Sequence, residues 1–180
     1  MISKQSQFLS TTIDDFRNFF KENKEKSMTT LKDVVEDALT IIRPTMESKE
    51  ITIDQEYLCH TKILTYPDEF KQVVLNLVKN SVDILLEKEI KNPSIWIKVY
   101  KEGTDCCLEV RDNGGGIKEK YIKSIFDPYF ATKEKRDGTG LGLYMSKTII
   151  EEHYEGALEV KNGDLGAVFK IKLDGTEDRT

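Results

Sequence analysis

The sequence predicts an α+β fold, a two-layer α/β sandwich with helices on one face of a mixed, mostly antiparallel sheet. Apolar residues recur at helical spacing in a long segment that begins at Pro67. Two pairs of segments with alternating apolar residues, 94–112 and 156–173, are typical of β-hairpins. Along the chain the patterns follow the order helix, helix, two strands, helix, two strands, helix, two strands, which is typical of this class.

The first two dozen residues carry the spacing of a coiled-coil seam. Ile2, Leu9 and Phe16 are seven residues apart, and Ile13 and Phe20 add the alternating steps of four and three. Such a narrow stripe favours pairing with another helix, and a helix packed on its own domain is the alternative. The charged segment KENKEKS at 21–27 follows, and we expect it to be a hinge or linker.

Two helices and two strands are expected in the next part of the chain. Residues 31–42 repeat at helical spacing, with Ser27, Thr29 or Thr30 available as N-cap, and a bend is expected near Pro44. Residues 50–57 alternate like a half-buried strand, and 61–66 form a shorter one. The long helix then starts at Pro67, and its apolar face is predicted to contain Phe70, Val73, Val74, Leu77, Val78, Ser81, Ile84 and Leu85.

The last third of the chain is predicted to contain two hairpins and one helix. Strands at 94–102 and 105–112 are joined through Gly103. A helix begins at about Leu141, after a loop with two glycine clusters, and strands at 156–162 and 166–173 close the chain.

Composition argues against several functional classes. A net charge of −5 without a basic tract argues against a dedicated nucleic-acid binder. Cys59, Cys106 and Cys107 lack metal-site or disulfide spacing, so we expect reduced thiols in the cytosol. No run approaches the roughly 18 apolar residues of a membrane span, so we expect a cytoplasmic chain, and membrane anchoring of a parent protein stays open. We expect a partial helix with its linker at 1–26, one globular domain at 27–175 and a tail at 176–180.

Polar residues on the long helix form the first of three candidate clusters. Asn76 and Asn80 are one turn apart and therefore lie on the same side, amid apolar neighbours. A side-chain carbonyl oxygen is a ligand that Mg²⁺ accepts together with phosphate oxygens and water. An ordinary surface asparagine is the alternative.

The other two clusters are rich in glycine. In RDNGGGI, Asp112 ends a strand, and the glycines permit close approach of a flat ligand, although a plain Asp-Asn-Gly turn fits as well. In GTGLGL, alternating glycines before a helix can turn their N–H groups toward an anion, and a polyphosphate suits such a site. Between them lie Phe126, Tyr129 and Phe130 and a charged span from Lys133. This segment is either a lid anchored by aromatic residues, with Lys133 reaching phosphate, or a solvated charge run.

Together the segments resemble the catalytic, ATP-binding domain of sensor histidine kinases, in the Bergerat-fold superfamily of ATPases. NLVKNSVDIL, DNGGGI, FDPYFATK and GTGLGL resemble the asparagine box, the first glycine box, the phenylalanine box and the second glycine box, in family order. LSTTIDDFRNFF resembles the second helix of the kinase dimerisation hairpin. The resemblance implies a Bergerat fold, Mg²⁺ and ATP as ligands, and transfer of the γ-phosphate to a hairpin histidine for relay to an aspartate of a response regulator. It also implies a possible homodimer through the N-terminal helix.

The resemblance further implies the roles of individual residues. Asn80 would coordinate Mg²⁺ and act in catalysis with Lys133 of the lid, and Asp112 would accept a hydrogen bond from the adenine amino group. Gly114 and Gly116 would let the adenine approach the strand end. The full set of expected nucleotide-binding residues is Asn76, Lys79, Asn80, Asp112, Gly114, Gly116, Ile117, Phe126, Phe130, Thr132, Lys133, Gly138, Thr139, Gly140, Leu141, Gly142 and Leu143.

Two departures bear on the chemistry. Hydrolysing relatives carry a glutamate where this chain has Asn76, and an amide cannot act as a general base, which favours phosphoryl transfer over hydrolysis. Neither His60 nor His153 lies in the expected acceptor context, so we expect the acceptor to be outside this chain. Two alternatives remain: a serine kinase of the anti-sigma-factor type, which the N-terminal seam disfavours, and a nucleotide-binding or docking module without autonomous activity.

Overall fold

A computed structural model describes residues 6, 9–10, 13–14, 17, 25–130 and 139–175. The residues described before Glu25 are helical and exposed. The predicted seam positions Ile2, Phe16 and Phe20 lie outside the described residues, as do 21–24 of the predicted linker and the tail at 176–180.

In the described part of the chain, seven strands form two sheets. In the larger sheet the strand order is β2-β4-β5-β7-β6; β2 and β4 are parallel, and the other neighbours are antiparallel. Strands β1 and β3 form a separate antiparallel pair. The mixed, mostly antiparallel sheet is therefore confirmed. The strands are β1 (Ser27–Thr30), β2 (Thr52–Tyr57), β3 (Lys62–Thr65), β4 (Ser94–Glu102), β5 (Asp105–Asp112), β6 (Ala157–Asn162) and β7 (Ala167–Leu173).

The helices lie between these strands in the chain. They are α1 (Leu31–Ser48), α2 (Pro67–Glu87), α3 (Glu119–Ile122) and α4 (Gly142–Thr148), and α4 continues into a π-helical turn (Ile149–His153). Thr30 caps α1, because its hydroxyl accepts a hydrogen bond from the Asp33 backbone N–H at 3.1 Å. Pro44 lies inside α1 without ending it. None of the helices in the described part of the chain has the length and apolar content needed to cross a membrane.

One apolar core joins the helices to the larger sheet. The apolar faces of α1, α2 and α4 form a single buried cluster with alternate residues of β4, β5 and β7. Phe70 and Leu77 of α2 are fully buried in it, and burial of each such side chain is worth about 1.5–3 kcal/mol. The residues between these buried positions point to the other face of the sheet, where ion pairs form, for example between Lys98 and Glu56 at 2.8 Å. The helices therefore cover one face of the sheet, as predicted.

Two short elements, β1 and α3, were not predicted from the sequence. Ser27 belongs to β1 and not to the linker, and β1 itself was not predicted. This strand is four residues long and pairs with β3. Its formation therefore depends on a partner distant in the sequence, and so few residues carry no alternation from which a strand could be predicted. The short helix α3 was not predicted either. Helix α4 begins at Gly142 with Leu141 as its N-cap, in agreement with the predicted start at about Leu141.

Candidate functional site

A buried carboxylate lies where β5 ends. The side chain of Asp112 accepts hydrogen bonds from the backbone N–H of Gly114 at 2.8 Å, from that of Ala167 at 3.3 Å and from the Ser81 hydroxyl at 3.2 Å. Burial raises the pKa of this carboxyl, and the hydrogen bonds and the positive charge of Lys88 partly offset that rise. Asp112 is therefore held in one orientation, although its charged form is penalised by burial.

The two asparagines of α2 are half-buried, and the first contacts the glycine-rich helix start. The Asn76 side-chain amide donates to the Ser146 hydroxyl at 2.9 Å, and Ser146 is fully buried on α4. A Cβ atom on Gly142 would collide with the Asn76 side-chain amide, so a larger residue at this position would displace that amide. Asn80 is partly buried one turn further along α2, and Lys79 is exposed.

The second glycine segment also packs against the aromatic segment. Gly140 has a φ of +71°, and a Cβ atom there would lie 2.7 Å from the backbone carbonyl carbon of Tyr129 and 2.8 Å from the carbonyl oxygen of Phe130. Thr139 and Leu141 on either side are buried, and Leu143 is half-buried. Glycine at position 140 thus satisfies both a left-handed backbone and a close contact.

The aromatic segment is only partly anchored. The Phe126 ring packs edge-on against Phe169, with a centroid distance of 6.4 Å, and the Lys147 ammonium lies 4.9 Å from its centre. Phe130 packs against Tyr121 at 5.6 Å. Tyr129, expected to share this role, is 61% exposed. Thr132, Lys133 and Gly138 lie outside the described residues, so the lid stays a prediction.

The first glycine segment is fixed by contacts from three other elements. The Lys88 ammonium donates to the Gly114 carbonyl at 2.6 Å, and the Gly115 N–H donates to the Leu165 carbonyl at 3.0 Å. Ile117 exchanges two hydrogen bonds with the side chain of Asn162. The loop therefore has a defined conformation that the protein alone supplies.

Sequence reasoning missed three of these supporting residues. Ser81 was placed on the apolar face of α2, where it is indeed buried, and a hydroxyl at such a position needs a partner. That mismatch could have marked it as a site residue. Lys88 and Asn162 carry no comparable signal, because their partners come from loops distant in the sequence.

A cavity of about 200 Å³ adjoins Asp112 between Trp96, Arg111, Val168 and the turn at 163–166. Its lining includes Asp112 but no residue of α2 or α4. The predicted segments meet instead on the α2 and α4 side of Asp112, through Ser81, Asn76 and the glycines of the α4 start, and we take that group as the candidate site.

The two histidines have different environments. His60 is exposed in the β2–β3 connection. His153 Nδ1 lies 2.6 Å from the Glu69 carboxylate, which is buried.

The donor set of the site suits Mg²⁺ better than a soft metal. Among residues 25–130 and 139–175, no group of three or more His, Cys, Asp or Glu side chains could hold a metal ion. The Asn80 side-chain oxygen could coordinate Mg²⁺ together with water and phosphate oxygens, since Mg²⁺ is often held by few protein ligands.

Comparison with protein families supports an ATP-binding domain. The model of the family "Histidine kinase-, DNA gyrase B-, and HSP90-like ATPase" matches residues 65–177. The sensor histidine kinase ZraS of Salmonella typhi is 36% identical over 148 residues, 79% of this chain and 30% of that protein. The C4-dicarboxylate transport sensor protein DctB of Rhizobium meliloti is 28% identical over 96% of this chain and 27% of its own length. The chain thus spans less than a third of these curated relatives.

Solved structures show the same fold. The nucleotide-free catalytic domain of histidine kinase ThkA superposes with a TM-score of 0.75 at 26% identity, covering 84% of this chain and 97% of that one. ThkA in complex with the response regulator TrrA gives 0.79 at 22% identity, over 98% of this chain and 50% of that one.

Proposed function

Because this chain belongs to the histidine kinase-, DNA gyrase B-, and HSP90-like ATPase family, with a sensor histidine kinase ATP-binding domain, we propose that it is the phosphate-donating part of a kinase. It binds Mg²⁺·ATP and donates the γ-phosphate to a histidine of a dimerisation hairpin. The observation that carries this proposal is the direct packing of the α2 asparagine turn against the glycine start of α4, beside the buried Asp112 carboxylate.

Asp112 recognises the adenine. Its carboxylate accepts a hydrogen bond from the exocyclic amino group, and Gly114, Gly116 and Ile117 form the adjoining wall. The support is the fixed orientation of the carboxylate and the hydrogen-bonded loop that follows it. A charge-assisted hydrogen bond of this kind selects adenine over bases that lack a donor at that position.

The phosphates lie between α2 and the start of α4. Gly138, Gly140 and Gly142 offer backbone N–H groups, and the free N–H groups of the α4 first turn add to them. Asn80 holds Mg²⁺ through its side-chain oxygen, and Lys133 contacts phosphate from the lid. Bound Mg²⁺ would supply charge neutralisation at the phosphates.

The chemistry of this site is transfer without a protein general base. Asn76 donates a hydrogen bond to Ser146, and an amide does not take up a proton from water. The imidazole nitrogen of the acceptor attacks the γ-phosphorus, a P–N bond forms, the bond to the bridging oxygen breaks, and ADP leaves. The protein contributes positioning and electrostatic stabilisation, which dominate phosphoryl transfer.

The partners follow from the same proposal. The acceptor is a hairpin histidine other than His60 and His153, and the phosphohistidine passes its phosphate to an aspartate of a response regulator. Residues 27–175 act as the catalytic domain. The helix within 1–26 is the second hairpin helix and contributes to a homodimer.

A phosphotransfer assay tests the proposal. The purified chain is incubated with γ-labelled ATP, Mg²⁺ and a hairpin fragment that carries the acceptor histidine. We expect an acid-labile, alkali-stable label on the fragment, as a phosphoramidate requires. An acid-stable label on a serine would favour the anti-sigma-factor type of kinase.

The matched control makes the assay specific for the site. Asn80→Asp adds a charge on α2 beside the phosphates, whereas Asn92→Asp makes the same chemical change in an exposed loop. Transfer should disappear in the first variant and persist in the second. Absence of label with the unaltered chain, while a known kinase labels the same fragment, would refute the proposal.

A further inference from the structure

The loop after β5 is held on its far side by an asparagine from β6. The Ile117 backbone N–H donates to Asn162 Oδ1 at 2.7 Å, and Asn162 Nδ2 donates to the Ile117 carbonyl at 2.7 Å. Both backbone groups of Ile117 are therefore satisfied by one side-chain amide. The pair imitates the exchange of two hydrogen bonds between residues of neighbouring strands.

The same amide also limits the residue before Ile117. Gly116 has a φ of +78°, and a Cβ atom there would lie 2.6 Å from Asn162 Oδ1. Gly116 is thus pressed against the amide in a backbone conformation that favours glycine. On the other side of the loop, Lys88 donates to the Gly114 carbonyl at 2.6 Å and approaches that of Gly116 at 3.4 Å.

These contacts hold the loop from both sides. Lys88 belongs to the C-terminal end of α2, and Asn162 is the last residue of β6. The segment from Gly114 to Ile117 spans the gap between them, with Asp112 just before it. Glycine-rich segments lose much conformational entropy when they become ordered. If the loop is already ordered before a ligand binds, that entropy loss does not weaken binding.

We propose that Asn162 is a positioning residue for nucleotide binding. Its side-chain amide holds the backbone of Ile117 and so keeps Gly114 and Gly116 in the conformation that binds adenine. This inference rests on the proposed function. Asn162 itself does not touch the nucleotide; it acts through the backbone of Ile117.

The physical consequence is a specific effect on binding. Without the clamp, the loop samples further conformations, and binding must select one of them. Loss of two solvent-exposed hydrogen bonds is expected to weaken ADP binding about tenfold. The contacts of Asp112 with Gly114, Ala167 and Ser81 remain, so the core and the carboxylate orientation should be preserved.

Two variants and one control separate positioning from a general loss of stability. Asn162→Ala removes both hydrogen bonds. Asn162→Asp keeps the acceptor for the Ile117 N–H, removes the donor to its carbonyl, and serves if the first variant does not fold. Gln55→Ala deletes an amide from β2, the opposite edge strand of the sheet.

The readouts are the ADP dissociation constant by calorimetry, the thermal midpoint, and hydrogen exchange at the Ile117 amide. We expect about tenfold weaker ADP binding and faster Ile117 exchange in Asn162→Ala, a change in the same direction in Asn162→Asp, where a carboxylate oxygen would face the Ile117 carbonyl, and none in Gln55→Ala. A lowered midpoint with an ADP affinity within about twofold of the unaltered chain would overturn the inference, since the role would then be structural only.

The experiment also distinguishes this inference from the function on which it rests. If the unaltered chain does not bind ADP, the proposed function fails, and the inference fails with it. If the unaltered chain binds ADP and both Asn162 variants bind it equally well, the inference alone is wrong.

Discussion

The buried carboxylate gives the sharpest prediction, because Asp112→Asn should weaken binding and stabilise the fold at the same time. The asparagine side chain keeps an oxygen for the N–H groups of Gly114 and Ala167, so the local hydrogen bonds can persist. It loses the negative charge that strengthens the hydrogen bond from adenine. Loss of such a bond costs about 1.5–3 kcal/mol, which corresponds to roughly 10- to 150-fold weaker ADP binding.

The expected gain in stability follows from the direction of the pKa shift. Burial raises the pKa of Asp112 in the folded chain above the value of about 3.9 for an unfolded aspartate. Its contribution to folding is therefore fully present below the unfolded pKa and is lost as the pH rises through the folded pKa. At neutral pH the ionised carboxylate lowers stability, and the neutral asparagine removes that cost.

Calorimetry with ADP and urea unfolding between acidic and neutral pH measure both effects. The difference in the free energy of unfolding, variant minus unaltered chain, should become more positive toward neutral pH. Asp105→Asn is the matched control on the same strand, since Asp105 makes an ion pair with Lys172 at 3.1 Å near the opposite end of β5. Unchanged ADP affinity in Asp112→Asn would refute the adenine role, and a loss of stability that grows toward neutral pH would refute the burial argument.

The remaining predictions concern three neighbouring parts of the site. Asn80→Asp should reduce phosphotransfer to background with an unchanged circular dichroism spectrum, because a carboxylate alters the charge and geometry at the metal; normal transfer would refute the ligand role. Ser81→Ala removes the hydroxyl donor to Asp112, which should raise the pKa of that carboxyl further and weaken ADP binding about three- to tenfold in calorimetry. Gly140→Ala should lower the free energy of unfolding in urea by about 2–5 kcal/mol, since a left-handed backbone and contact with the Tyr129 backbone both oppose a Cβ atom. In Gly103→Ala the φ of +65° is similar but nothing lies within 4 Å, so only about 1–2 kcal/mol should be lost; equal losses in the two variants would contradict the packing argument.

Much of the fold was predictable, because its main elements carry local patterns. Helix α2 begins at Pro67 as expected, and its apolar positions from Phe70 to Leu85 are mostly buried. The β4–β5 hairpin turns through Gly103, which has the positive φ that the turn requires. In each case the period and the turn residue lie within the segment itself, so no distant partner is needed to predict it.

The supports of the site could not be predicted in the same way. Ser81 donates to Asp112 across 31 residues, and Asn162 holds Ile117 across 45. Such pairs depend on how α2 packs on β5 and on where β6 ends in the sheet, which no local spacing encodes. The motifs predicted which segments would lie together. Which side chains hold these segments in place depends on the tertiary packing.

Calorimetric titration of the unaltered chain with ADP and with a non-hydrolysable ATP analogue, each with and without Mg²⁺, tests the central claim most directly. We expect saturable binding of one nucleotide per chain, with an affinity for the ATP analogue that rises when Mg²⁺ is present. No binding at roughly millimolar nucleotide, a concentration that detects even weak ligands, would contradict a nucleotide site between α2, Asp112 and the glycines of α4.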